Sequence, residues 1–512
     1  MVLMKTPPFA SQTMGFSFLQ LSDTIIPTMS ALDEIRSERL KKLEILRDRG
    51  IDAYPATTHR THRISDVVTS FDALASSRDI LTIAGRVMVV RGQGAILFAD
   101  IQDGGGKFQA VFKSDVLEED LFGLFKEVID NGDFIEVTGV VFATDKGQQS
   151  ILVQRWAMLS KSLLPLPDKF HGLQNEEDRF RKRYLDILTN ADLKATFFRK
   201  ERFWDVTRTF LKSKGFLEVE TPTLEVTTGG AEARPFKTHH NDFDIDVFLR
   251  ISVGELWQKR LLAAGFDKTF EIGRVYRNEG TSPEHLQEFT NMEFYYGYAD
   301  YSQGMELVKE LYRVIAQEVY GTTAFTYKTH TFDLAQEWVD IDYVDEIQRQ
   351  TGVDVITASE EDLKRKLTEL NVSYDGANRE RLTDTLWKYC RKNIAGPAFL
   401  INHPKLIAPL AKSVRGTAVT QMFQPIIGGS EVGRGYSELN DPVDQRERFE
   451  VQRTLIESGD EEAMMPDDEF IEMLEHGMPP TCGFGFGERL FAILENKPLR
   501  EVQMFPLMRP KE

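Results

Sequence analysis

Between Phe270 and Tyr295 the chain reads FEIGRVYRNEGTSPEHLQEFTNMEFY, two strand-like runs joined by a polar loop, and this pattern constrains the rest more than any other stretch. The first run ends in Arg277, the loop carries Glu279 and His285, and Phe289 leads into a returning run with Asn291, Glu293 and Tyr295. Alternation aims these polar residues at one face, and Glu293 and Tyr295, two apart, share it. A guanidinium held on a rigid strand is a two-pronged clamp for carboxylate or phosphate. An aromatic ring on the paired strand is a platform for a flat base. An ordinary hairpin with a salt-bridged surface fits the same spacing, so the surroundings must decide.

A length of 512 residues implies two to four domains, and 41% hydrophobic with 28% charged residues is the composition of a globular protein. No apolar run approaches the ~20 residues of a membrane span. Cys390 and Cys482 stand far apart, which argues against a disulfide framework or a cysteine-ligated zinc and fits a reducing cytoplasm. The formal net charge of −18 repels polyanions at long range. Local basic clusters keep a nucleic-acid partner open: Arg36, Arg39, Lys41, Lys42, Arg47 and Arg49 on one predicted helix, and a second cluster from Arg179 to Arg202.

Residues 1–28 lack the continuous apolar centre of a signal peptide and read as a disordered extension, with Met29 an alternative start. An apolar stripe at Leu32, Ile35, Leu43 and Leu46 predicts a helix stopped by Gly50, its basic face either solvated or set against a nucleic-acid backbone. Residues 80–160 predict five short strands with a helix in the middle, the pattern of a small Greek-key barrel of the OB type, a frequent binder of single strands. Arg86, Phe98 and Gln109 on its strands combine a cation, a stacking ring and an amide. A Pro-rich linker follows, placed at 161–178, and then a much larger domain over 179–512 with a helical insertion at about 325–395. His239 and His240 are adjacent on a predicted strand and point opposite ways, which speaks against a metal pair. Near the end GFGFGERLF is a glycine-punctuated strand entering a helix at Arg489, a pattern that lets a ligand approach the backbone closely.

Three separated elements coincide: FLEVETPTL with Pro222, the stretch carrying Arg277, and GFGFGERLF with Arg489. They resemble motifs 1, 2 and 3 of the class II aminoacyl-tRNA synthetases, and the preceding barrel resembles the subclass that charges Asp, Asn or Lys. LPLPDKFHG, RYLDIL, GGAEARPFKTHHN, GYSELNDP and FPLMRP are most similar to the lysine-specific members. The resemblance runs from about residue 30 to the C-terminus. It implies an α+β fold: an N-terminal OB barrel binding the anticodon (29–160) and a catalytic domain of antiparallel sheet flanked by helices, with motif 1 at a homodimer interface. It also implies a cytoplasmic enzyme that joins L-lysine to ATP, forming lysyl-adenylate, and passes the lysyl group to tRNA-Lys, with Mg²⁺ on the phosphates.

Residue by residue, the resemblance implies that Arg277 bridges the amino-acid carboxylate and the α-phosphate, and that Arg489 acts from the other side of the nucleotide. Glu279 and His285 lie near adenine and the outer phosphates, with Phe289 under the adenine. Glu293, Tyr295 and Glu438 surround the ε-ammonium, Glu255 with Gly230 and Ala231 surrounds the α-ammonium, Tyr436 belongs to the lysine pocket, and Glu431 and Glu438 face the metal. A buried ε-ammonium requires compensating negative charge, and an aspartate enzyme would want cations there instead. Four departures stand out. Arg434 replaces the usual Asn beside the substrate carboxylate, Gln424 replaces an acidic metal ligand, RISVGELW is one residue long before Glu255, and GFGFGER is one residue short before Arg489. Arg434 and Gln424 also motivate a different reading, a tRNA-binding paralogue impaired in catalysis.

Overall fold

The computed structural model describes residues 31–167, 172–231, 233–280, 282, 285–374, 378–460 and 463–511. The extension expected over residues 1–28 lies outside them, as do residues 168–171 of the expected linker. The chain divides into two compact units with the break at residue 171.

In the first unit, strands β1 (Leu81–Gln93), β2 (Ile96–Asp103), β3 (Gly106–Lys113), β4 (Phe134–Ala143) and β5 (Gln149–Ser160) close into a barrel in the order β1-β2-β3-β5-β4. Closure leaves no unpaired sheet edge. Period-two burial follows the sequence: Leu97, Ala99 and Ile101 of β2 point inward, and Phe98 and Asp100 face outward. The helix Glu119–Val128 plugs one side, where Phe125 stacks on Phe112 at 3.9 Å and meets Trp156 edge-on at 5.5 Å.

The helix Ala31–Asp48 covers the barrel through Leu43 and Leu46; Arg36, Lys41, Arg47 and Arg49 of the predicted basic face are exposed, and Arg39 and Lys42 turn toward the barrel unit instead. Arg39 is 7% exposed and donates to the carbonyls of Asn131, Ser162 and Leu164 at 2.9 to 3.1 Å, while Lys42 pairs with Asp130 at 2.7 Å. These two charges hold the unit's own loops, Arg39 from a buried position and Lys42 from a partly exposed one.

The second unit contains β6 (Leu217–Glu218), β7 (Leu224–Glu225), β8 (Lys237–His240), β9 (Ile245–Leu249), β10 (Lys268–Tyr276), β11 (Glu288–Gly297), β12 (Ala324–Tyr327), β13 (His330–Asp333), β14 (Val339–Asp342), β15 (Ala398–Ile401), β16 (Met422–Ile427), β17 (Ser430–Glu431), β18 (Arg434–Ser437) and β19 (Thr481–Gly487). Its main sheet runs β14-β15-β16-β18-β19-β11-β10-β6 with β17 attached to β16. The interior pairings are antiparallel and the two outermost, β14 with β15 and β6 with β10, are parallel.

One face of β10, β11 and β19 presents Phe270, Met292, Phe294, Phe484 and Phe486 to the helices Ala191–Ser213 and Tyr301–Tyr320, packed by Phe203, Leu311, Tyr312 and Ile315. Alternation then turns Asn291, Glu293 and Tyr295 to the opposite face, where a cavity opens.

The basic cluster from Arg179 to Arg202 is largely engaged within the unit. Arg183 is fully buried against Asp186 at 2.8 Å, Arg179 bonds Asp186 and Glu501, and Arg199 is bidentate to Glu495. The stretch expected as a helical insertion contributes more than helices. Its residues β14 extend the main sheet, and its helices Tyr343–Thr351, Glu360–Glu369 and Arg379–Cys390 build a core of Tyr343, Leu363, Leu386 and Trp387 that includes Leu400 and Ile426 of the sheet. Four-residue strands are too short to display a period of two, which is why the sequence did not reveal them.

Candidate active site

A cavity of about 530 Å³ opens over β10, β11, β18 and β19. The predicted residues of the second unit all line it: Gly230, Ala231, Glu255, Arg277, Glu279, His285, Phe289, Glu293, Tyr295, Glu431, Arg434, Tyr436, Glu438 and Arg489. The glycines of β19 explain how. A Cβ on Gly483 would lie 2.1 Å from Glu438 Oε1 and 2.7 Å from Tyr295, and one on Gly485 would lie 2.8 Å from Glu293. One on Gly487 would sit 3.1 Å from the Phe289 ring. Alternate glycines thus give neighbouring side chains room to cross the central strand.

Three carboxylates crowd one end. Glu293 Oε1 accepts from the Val253 amide at 2.7 Å and from Asn291 at 3.0 Å, and its Oε2 accepts from the Tyr295 hydroxyl at 3.0 Å. Glu255 Oε1 accepts from the Tyr436 hydroxyl and from Lys259 Nζ, the latter at 2.7 Å. Lys259 Nζ also lies 2.5 Å from Glu438 Oε2, whose carboxylate accepts no further hydrogen bond among the described residues. Glu255, Glu293 and Glu438 are 5%, 6% and 2% exposed, so burial acts on all three. Burial, with repulsion from Glu255, pushes the Glu293 carboxyl up to about 7. Burial pushes that of Glu438 up to about 8 despite the Lys259 ammonium.

The other end is cationic. Arg277 donates through Nε to the Ile251 carbonyl at 3.3 Å and lies over the Phe289 ring at 5.4 Å. Burial lowers the Arg277 pKa, with Arg434 and Arg489 adding like-charge repulsion against Glu279 and Glu293. Arg489, the first residue of its helix, donates to the Glu431 carbonyl at 3.2 Å and approaches His285 Nε2 at 3.3 Å. The Glu431 carboxylate accepts from Trp387 Nε1 at 2.6 Å. Burial would raise it, but Arg391, Arg434 and the indole outweigh burial and hold it below the usual carboxylate range.

Before Glu255 the chain turns through Gly254, in the left-handed region with φ +66°, and the helix Glu255–Ala263 starts with its first side chain in the cavity. After Gly487 the buried Glu488 pairs with Lys200 at 3.0 Å, and Arg489 reaches the cavity directly.

Residues the sequence did not flag complete the lining. Arg381, Asp384, Lys388 and Arg391 enter from the helix Arg379–Cys390 and its end, and their spacing of three and four was its one visible signal. Lys259 carried a comparable signal, one helical turn after Glu255 and therefore on its face.

Among the described residues no three His, Cys, Asp or Glu side chains converge on a metal position, and His239 pairs with Asp244 and Asp246 instead. Gln424 Oε1 lies 2.8 Å from the ring of His403, which burial keeps neutral, its pKa lowered to about 4. In the barrel, Arg86, Phe98 and Gln109 are half-buried on β1, β2 and β3, where Arg86 stacks over Phe134 at 4.2 Å and Gln109 accepts from Ser150.

Comparison with known proteins agrees with this construction. A family model described as tRNA synthetases class II (D, K and N) matches residues 175–509, and one for an OB-fold nucleic acid binding domain matches residues 81–159. A lysine–tRNA ligase of Roseiflexus sp. (strain RS-1) is 40% identical over 94% of this chain and 100% of its own. Those of Fervidobacterium nodosum and Thermotoga maritima are each 41% identical over 94% of this chain and 95% and 97% of theirs. With both ends of the cavity built from the motif residues and two thirds of the length matched by the family model, the chain belongs to the class II tRNA synthetases of the aspartate, lysine and asparagine branch.

Proposed function

We propose that the protein is a lysine–tRNA ligase working on L-lysine, ATP and tRNA-Lys. The observation that carries this reading is the group of three buried carboxylates at one end of the cavity, an arrangement suited to a substrate with ammonium groups at both ends. Aspartate would meet repulsion there, and asparagine would leave buried acids unpaired. In the reaction the lysine carboxylate oxygen attacks the α-phosphorus of ATP and pyrophosphate leaves. A terminal ribose hydroxyl of the tRNA then attacks the carbonyl carbon, forming the ester and releasing AMP.

No protein nucleophile is required, so the residues act by position and charge. Arg277 holds the lysine carboxylate against the α-phosphate, Phe289 supports adenine, and Arg489, Glu279 and His285 address the nucleotide. Glu293, Tyr295, Tyr436 and Glu438 hold the ε-ammonium. Glu255, Gly230 and Ala231 hold the α-ammonium, and Arg434 takes the carboxylate side in place of an amide. Mg²⁺ prefers oxygen ligands and commonly shares one or two carboxylates with substrate phosphates. Glu431 suits that part, whereas Glu438 is paired with Lys259 and Gln424 with His403, so the side chains fit an ion that arrives with the nucleotide. When bound, Mg²⁺ neutralises phosphate charge.

In the same reading residues 29–160 bind the anticodon, 161–178 link, and 179–512 catalyse, in the cytoplasm and as a homodimer. No helix among the described residues is long and apolar enough to cross a membrane. Leu224, Val226, Phe243 and Ile245, on or beside the small sheet β7-β9-β8, are exposed apolar residues that a second copy would cover.

ATP–pyrophosphate exchange with each amino acid in turn tests the assignment. Exchange stimulated by lysine alone is expected, stimulation by aspartate or asparagine instead overturns the specificity, and none with any amino acid favours the impaired paralogue. For the barrel, Phe98→Ala lowers tRNA charging about tenfold, the loss of one stacking contact, and leaves exchange intact. Equal losses in both assays refute that role.

A further inference from the structure

The lysine pocket already contains a lysine. Lys259 is 1% exposed, with Nζ 2.7 Å from Glu255 Oε1 and 2.5 Å from Glu438 Oε2, enclosed by the rings of Tyr295, Tyr436 and Phe470 at 5.6 to 5.8 Å. It touches two carboxylates of the amino-acid end and leaves Glu293 to Val253, Asn291 and Tyr295. Once all three carboxylates are ionised, as binding of a cationic substrate requires, one resident ammonium leaves two unmatched negative charges. Free lysine brings two ammonium groups, and its own carboxylate is matched by Arg277. Glu438 keeps acceptor capacity for one of them, since no hydrogen bond to it other than the Lys259 contact occurs among the described residues.

We propose that Lys259 is a positioning and specificity-determining residue, a resident counter-charge that sets the amino-acid end to the charge complementary to a substrate with two ammonium groups. This rests on the assignment of lysine as substrate. In a desolvated site an unmatched charge of either sign is costly, so a pocket with one negative charge too many is as poor a host as one with too few. A merely structural ion pair predicts something different: each single variant would lose stability and ATP affinity together with lysine affinity, and the double variant would regain all three in parallel.

The two accounts separate in a double-variant cycle on the full-length protein, read as KM for lysine and for ATP in pyrophosphate exchange. Glu438→Gln leaves one negative charge too few and Lys259→Met one too many, and each raises the lysine KM on the order of 10- to 100-fold. Lys259→Met/Glu438→Gln restores the balance, and its lysine KM returns to within about tenfold of the wild type, below either single variant. Lys259→Arg, which keeps the charge, stays closer to the wild type than Lys259→Met, and the ATP KM is steady throughout.

A double variant whose lysine KM equals the product of the two single effects overturns the proposal. So does a double variant that fails to fold while Glu438→Gln folds, which would make Lys259 a structural strut. A wild-type enzyme that does not exchange with lysine overturns the substrate assignment instead, and that result is read before any variant is made.

Discussion

Glu255, Glu293 and Glu438 crowd one end of the cavity, while Arg277, Arg391, Arg434 and Arg489 gather at the other. The acids are almost wholly desolvated, and two of them sit high enough to hold protons near neutrality. Arg434 is exposed and the other three guanidiniums are half-buried, and arginine stays protonated at any physiological pH. One end therefore has a charge that depends on its contents, and the other a charge that is permanent. The contrast suits two kinds of ligand: a small dication that must be distinguished from other amino acids, and a polyphosphate that must be gripped whatever its partner.

The sharpest way to break this division is Arg277→Ala. Losing the clamp between carboxylate and α-phosphate lowers kcat for exchange by about 10³, a magnitude typical of removing a preorganised group that stabilises transition-state charge. A fall of less than tenfold, measured by exchange at saturating lysine and ATP, would mean that the cationic end acts mainly through its other members.

A second probe is pH. In the empty pocket Glu293, facing Glu255, Tyr295, Asn291 and Arg277, titrates near 7, and Glu438 near 8. Both ammonium groups of lysine remain protonated over this range. Lysine binding needs the carboxylates ionised, so it displaces protons, and the lysine KM rises about tenfold as pH falls from 8 to 6.5. The ATP KM changes little over this interval, and Glu293→Gln flattens the lysine profile. A profile that rises instead with pH would contradict the sign.

The smallest effect is expected at Arg434. Its backbone pairs with Gly485 across from Glu293, and it shares the field of Arg277 and Glu431. Arg434→Asn raises the lysine KM by about three- to tenfold, because one solvent-exposed cation on the carboxylate side is lost. A larger change in the ATP KM would move Arg434 from the amino-acid carboxylate to the nucleotide.

Much of this site is legible in the sequence. Phe270 to Tyr295 alternates cleanly, so its polar residues had to share a face, whereas the alternate glycines of β19, read as room for a ligand, admit the side chains of Glu438, Tyr295, Glu293 and Phe289. What escaped was charge that looks ordinary in one dimension. Arg381, Lys388 and Arg391 have the spacing of a solvated helix face, and only the fold of the 325–395 stretch against β15 and β16 turns that face into cavity wall. Lys259 has the spacing of an ordinary helical charge one turn after Glu255, yet it is buried with it. Arg39 reads as part of a basic stripe, yet the apolar stripe of its helix carries it into the interior. In each case tertiary packing sets the environment that a local pattern leaves open.

Trp387 joins two of these worlds, its ring against Tyr343 in the core at 5.2 Å and its Nε1–H on the Glu431 carboxylate. An indole's emission follows the field along its ring, and here a single anion sits at its polar tip. Of the five tryptophans in the chain, this one is hydrogen-bonded to Glu431 in the cavity wall. On the proposed function the molecule carries its own optical reporter: a cation or phosphate that alters the charge at Glu431 is expected to shift the Trp387 emission, a change that titration of the unlabelled protein with ATP would read.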